Sequence, residues 1–206
     1  MASPRATLAV AAFVAGVSAL TVLQLTGEMS RSALASSPHQ IAEGKLWLLI
    51  TSGLVVQAPV VLSLASFAVL AFAVLIVCSA RVLWYSAVLG HVLSTLALYG
   101  LIGTFRLADP DSFASLVSRP DYGVSAISAA WLGAIAATAW QRRGNSLRER
   151  THIVLSCAAI GAFAWMVKRH LNILDTDHVV AFSIGVTLAS NRARVALATL
   201  RRPALA

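Results

Sequence analysis

The chain has 206 residues, 58% of them hydrophobic and only 12% charged, with a mean hydropathy of +0.79. A soluble domain carries roughly 25% charged residues, so this composition excludes an ordinary water-soluble globule. The formal charge of +8 invites a nucleic-acid reading. However, the densest basic segment (Arg192, Arg194, Arg201 and Arg202) has no interleaved aromatic residues, which argues against nucleic acid as a partner.

A bilayer core of ~30 Å takes about 20 apolar residues per helix. Six apolar runs meet that need: 6–26, 54–78, 82–103, 123–140, 151–168 and 178–200. They predict an all-α bundle of six transmembrane helices that forms one domain over residues 1–206. The first run is too long for the roughly 7–15 apolar residues of a signal peptide, although Ser32-Ala33-Leu34-Ala35 loosely resembles a cleavage site. It is therefore read as a retained helix. Residues 41–53 carry Lys45, Trp47 and Gly53 in an apolar setting. Joined to the second run they would make a span much too long, so they predict an interfacial or re-entrant element in the first loop. Pro59 suits the first turn of the second helix, where a missing N–H costs little. Trp47, Trp84, Trp140 and Trp165 fall near span ends and read as interfacial anchors, whereas Trp131 lies inside a span and reads as packing. Cys78 and Cys157 stand singly in apolar runs with no ligand spacing, so neither a metal nor a cofactor is expected.

With the N-terminus inside, one side collects ten basic residues against one acid, Glu149, and the other collects six basic residues against seven acids. The positive-inside rule then places both termini in the cytoplasm of a cell with an inner (plasma) membrane location for this chain. An odd number of helices would break the pattern.

Polar groups within a span need a reason, because burying them in lipid is costly. Ser125, in Asp121-Tyr122-Gly123-Val124-Ser125-Ala126, opens the fourth helix, and His178, in Asp175-Thr176-Asp177-His178, opens the sixth. With six helices both enter from the same face at similar depth. Ser125, Ala129, Gly133 and Ala137 form one small-residue face, and Ala181, Gly185 and Ala189 form another. Such faces let helix backbones approach closely in lipid. Close approach is what a serine nucleophile and a histidine base require, at about 2.6–3.2 Å. Taken singly, Ser125 is a small packing residue at a helix start and His178 an interfacial histidine. His91 reads as a buried histidine bonded across helices. Asp175 and Asp177 read as acids favoured at a helix N-terminus.

The Gly123-Val124-Ser125-Ala126 segment, His178 followed by Ala181 and Gly185, and the Leu46–Gly53 stretch together resemble the rhomboid family of intramembrane serine proteases. The likeness is to its small, divergent members of actinobacterial type. It implies a six-helix fold in which Ser125 is the nucleophile and His178 the general base, acting on single-span transmembrane proteins near the outer face. It also implies a second outcome, an inactive relative that binds transmembrane helices without cutting them. Ala126 stands where the family has glycine. The family's second-helix His-x-x-x-Asn is matched only by His91 and Thr95, which span counting puts on the third helix. Gly123, His91 and Thr95 are accordingly the auxiliary candidates for holding the oxyanion. A transporter is disfavoured, since no predicted span contains an acidic residue.

Overall fold

The computed structural model describes residues 3–144, 146–168 and 175–190. Within them the chain is built from helices, and the only pairing of extended backbone is one antiparallel bridge between Ser36 and Asp121. Helix α1 runs Pro4–Leu25, started by proline in its first turn and by Ser3, whose hydroxyl accepts the Ala6 N–H at 3.2 Å. A folded first loop follows. It contains a 3₁₀ turn over Arg31–Ala33, the short helices α2 (Pro38–Ala42) and α3 (Leu48–Thr51), and a second 3₁₀ turn over Ser52–Leu54. Gly27 and Gly44 turn the chain at φ of 83° and 85°, a region costly for a residue with a Cβ.

Helix α4 spans Val60–Val77, α5 Ala80–Ala108, α6 Pro110–Val117, α7 Val124–Gln141, α8 Leu147–Lys168 and α9 Asp175–Ala189. Five of these, α1, α4, α5, α7 and α8, are long and apolar enough to cross a membrane. The second predicted span began at residue 54, but helix α4 starts six residues later. Pro59 sits just outside it in extended conformation, and Val55 and Val56 are fully buried in the loop instead. Asp109 caps α6 by accepting the Ser112 N–H at 3.2 Å, in a stretch where no element was expected. The sixth predicted span is described only as far as Ser190. The remainder of 178–200, the tail arginines, Arg169 and His170 lie outside the described residues.

Helix α7 is the axis of the bundle and packs against α4, α5, α8 and α9. Alanine and glycine make this possible, because a helix surrounded on all sides has no room for long side chains. Trp131 is its one large core residue; it is fully buried and donates its indole N–H to the Leu83 carbonyl at 3.1 Å. Phe67 lies 4.9 Å from its ring, Phe13 lies 5.8 Å from Phe67, and Trp84 meets Phe13 edge-on at 5.2 Å. These contacts tie α1, α4, α5 and α7 together, each ring pair contributing about 0.5–1.5 kcal/mol. Trp84 is thus largely a packing residue, whereas Trp47, Trp140 and Trp165 are exposed as anchors would be. Val61, Val69 and Ile76 of α4 point outward with most of their surface uncovered, as a lipid-facing helix requires.

The closest seam joins α7 to α9. A methyl at Gly185 would collide with the Ala130 carbonyl, and one at Gly133 with the Phe182 carbonyl. Gln141 reaches the Ala189 carbonyl at 3.4 Å further along. Ala126, Ala129 and Ala130 cluster with Ala181, and Ala134 clusters with Ala189 further along, so the two helices run parallel with their small-residue faces in register.

Candidate functional site

The register of α7 and α9 sets Ser125, second residue of one helix, level with His178, fourth residue of the other. Ser125 is half-buried at the start of α7. As a first-turn residue its N–H has no carbonyl one turn back to bond, so the donor and the positive end of the helix dipole are both free to meet a negative oxygen. No hydrogen bond joins Ser125 to His178. Both ring nitrogens of His178 are buried without a hydrogen-bond partner, and Nδ1 lies 3.5 Å from Asp175 Oδ1, an ion-pair distance rather than a bond. The pair is therefore brought to one level on two tightly packed helices without a hydrogen bond between its members.

His91 enters this site from α5. Its ring is clasped between two glycines: a methyl on Gly53 would press on Cδ2 at 2.7 Å, and a methyl on Gly123 would overlap the opposite edge. Only glycine fits at either position, which gives Gly123 a packing role that its place before a nucleophile did not reveal. His91 Nε2 lies 3.1 Å from Ser52 Oγ, while Nδ1, on the Gly123 side, has no partner. One turn along α5, Thr95 is fully buried with its hydroxyl unpartnered. His91 is buried as expected, but the partner of Nε2 is a first-loop residue, Ser52, rather than a neighbouring transmembrane helix.

Sequence reading missed the network that holds this arrangement. Ser36 and Asp121 exchange both backbone hydrogen bonds, at 3.2 and 2.7 Å. Ser36 Oγ lies 2.7 Å from the Tyr99 hydroxyl and 3.2 Å from Ser52 Oγ, and the Gly123 N–H donates to the Ser52 carbonyl at 2.8 Å. The first loop is thereby stitched to α5 and to the segment entering α7. The Tyr99 hydroxyl reaches Asp121 Oδ2 at 3.5 Å. Burial raises the Asp121 carboxyl to about 6, against the lowering effects of the Tyr122 N–H, the Tyr99 hydroxyl and the Arg119 charge. Serines scattered through a loop carry no spacing signal, so only the fold could assemble them.

Helix α9 also begins earlier than expected. Asp175 and Asp177 lie inside its first turn and are buried, Asp177 facing Ser94 and the Asp121 carboxylate, with its Oδ1 unpartnered. The acids therefore do more than start a helix at the surface. Among the described residues no cluster of side chains fits a metal ion. Compared with protein-family models, curated proteins and solved structures, the chain matches none.

Proposed function

We propose that this chain is a rhomboid-like intramembrane serine protease with Ser125 as nucleophile and His178 as general base. One observation carries the reading. Among the described residues seven buried side-chain polar atoms lack a hydrogen-bond partner, and five belong to His91, Thr95, Asp177 and His178, around the start of α7 that carries Ser125. Folded proteins rarely leave such atoms unpaired, and a concentration of them beside a hydroxyl nucleophile suits a place where water and a peptide are to bind. The Ser125 oxygen would attack a scissile carbonyl, and His178 would take its proton and return it to the departing amine. The Ser125 N–H and His91 Nδ1 would receive the oxyanion, and water would then release the acyl group through the same histidine. Catalytic hydrogen bonds often close only once substrate is present, so the open pair is compatible with this chemistry.

The same reading makes α9 the sixth crossing and leaves both termini on the cytoplasmic face. Arg5, Arg81, Arg142, Arg143 and Arg150 support that orientation by gathering at the end away from Ser125. Substrates would be single-span proteins entering from the bilayer.

A second reading, binding of transmembrane helices without cleavage, is favoured by the missing Ser125–His178 bond and by fully buried Ala126. A fluorophosphonate probe on the reconstituted full chain separates the two. Labelling should fall on Ser125, vanish in Ser125→Ala, and drop by about 10²–10⁴-fold in His178→Ala. A chain that stays unlabelled yet captures a single-span reporter would establish the binder.

A further inference from the structure

Between the first loop and the last turns of α5 lies a groove of about 390 Å³, within the size range of small-molecule sites. It does not touch Ser125 or His178. Its floor is apolar, formed by Tyr99 and Ile102 of α5, Ile41 of α2 and Val117 of α6. Gly103 lies in its wall, and a side chain there would meet nothing within 4 Å, so the space beside it is open. At the mouth stands Arg106, which makes no ion pair among the described residues, together with His39. Of the acids in the adjoining segments, Glu43 binds His39 at 3.2 Å and Lys45 at 2.9 Å, and Asp109 caps α6.

Depth gives the groove its meaning. Helix α5 has 29 residues, about 43 Å of helix, which matches a bilayer with its headgroups at ~40–45 Å. Arg106, in its last turn, therefore stands at headgroup level. Tyr99 lies seven residues lower, about 10 Å toward the acyl chains. A cation at phosphate height above an apolar trough running down the membrane normal has the outline of one lipid molecule. We infer that this groove binds an anionic phospholipid, its phosphate on Arg106 and one acyl chain along Ile41, Ile102 and the Tyr99 ring. A lipid seated there would lie against the residue whose hydroxyl links Ser36 to Asp121, and so would brace the first loop over the site.

The test is native mass spectrometry of the full chain released from nanodiscs of equal phosphatidylglycerol and phosphatidylcholine. The wild type should retain one phosphatidylglycerol in preference to phosphatidylcholine. Arg106→Gln should cut that retention by about tenfold or more, as loss of a charge-assisted contact does. Gly103→Phe should abolish it with every charge in place, while Arg31→Gln, a charge change elsewhere in the first loop, should leave it unchanged. Should Gly103→Phe fail to fold, Arg106→Gln against Arg31→Gln still decides. Equal retention in these two variants, or no preference in the wild type, overturns the proposal, since attraction to a basic surface would then suffice.

Discussion

The two halves of this bundle treat their buried polar atoms differently. Among the described residues in the half away from Ser125, no buried polar side-chain atom lacks a partner. Cys78 Sγ lies 3.2 Å from the buried Thr138 Oγ1, and Ser156 donates to the Ala136 carbonyl at 3.0 Å. In the other half lie the seven unpartnered atoms found among the described residues, on Gln24, His91, Thr95, Asp177 and His178. The first pattern is what stability alone selects, because an unmet buried donor or acceptor costs about 1–3 kcal/mol. The second sacrifices stability locally, as functional sites do. The contrast sets the start of α7 apart from the rest of the bundle before any role is given to a residue.

The largest effect should come from the seam both halves share. Gly185→Ala sets a methyl against the Ala130 carbonyl, a backbone atom that cannot swing aside. Overpacking of this kind costs about 1–3 kcal/mol and more when backbone must move. The variant should unfold well below the wild type in detergent melts and lose the site with it. Gly100→Ala, where a methyl meets nothing, should melt like the wild type. Equal melting of the two variants would mean that α7 and α9 are not held as closely as described.

The next effect sharpens the comparison through pH. Asp121 is raised to about 6 in the folded protein from an ordinary 3.8, with burial as the main cause. Its folded form thus holds a proton more tightly than its unfolded form. The protonated group favours folding below pH 4, and that advantage is lost as pH rises through about 6. Because the carboxyl is partly exposed, the penalty at pH 8 is roughly 1–2 kcal/mol. Asp121→Asn keeps an acceptor for Tyr99 and removes the charge. It should be more stable than the wild type at pH 8 and no more stable at pH 4, read as melting temperature. A gain of the same size at both pH values would show that the charge is not what matters.

Much of the bundle was legible because lipid imposes a coarse rule: long apolar runs must be helices. The small-residue faces of α7 and α9 were legible for a related reason, since four-residue spacing maps directly onto one side of a helix. Ser125 and His178 therefore came out level. The site's surroundings were not legible. His91 reaches the centre only because Ser52–Gly53 and Gly123 come down to meet it, a placement set by backbone path rather than by periodicity. Pro59 displaced the start of α4 because its extended conformation let Val55 and Val56 pack as loop, which an apolar run cannot announce. Tyr99, Ser36 and Asp121 share one network from three distant stretches, and no local pattern links them.

The smallest effect discriminates best between the two halves. Thr95 is fully buried and its hydroxyl has no partner, so Thr95→Val exchanges an unmet polar group for a methyl of nearly the same shape. Removing such a group should raise stability by about 1 kcal/mol, the reverse of the usual result for a buried substitution. Ser156→Ala in the other half breaks a made hydrogen bond and should lower stability by about 0.5–1.5 kcal/mol. If Thr95 serves the chemistry at Ser125, the stabilised variant should also label more slowly with fluorophosphonate, while Ser156→Ala should label at the wild-type rate. A Thr95→Val protein that melts lower would mean its hydroxyl is satisfied in the membrane, and the centre would have one unmet group fewer. Stability gained together with labelling lost would show that the unpaired hydroxyl is kept for function at a cost to the fold.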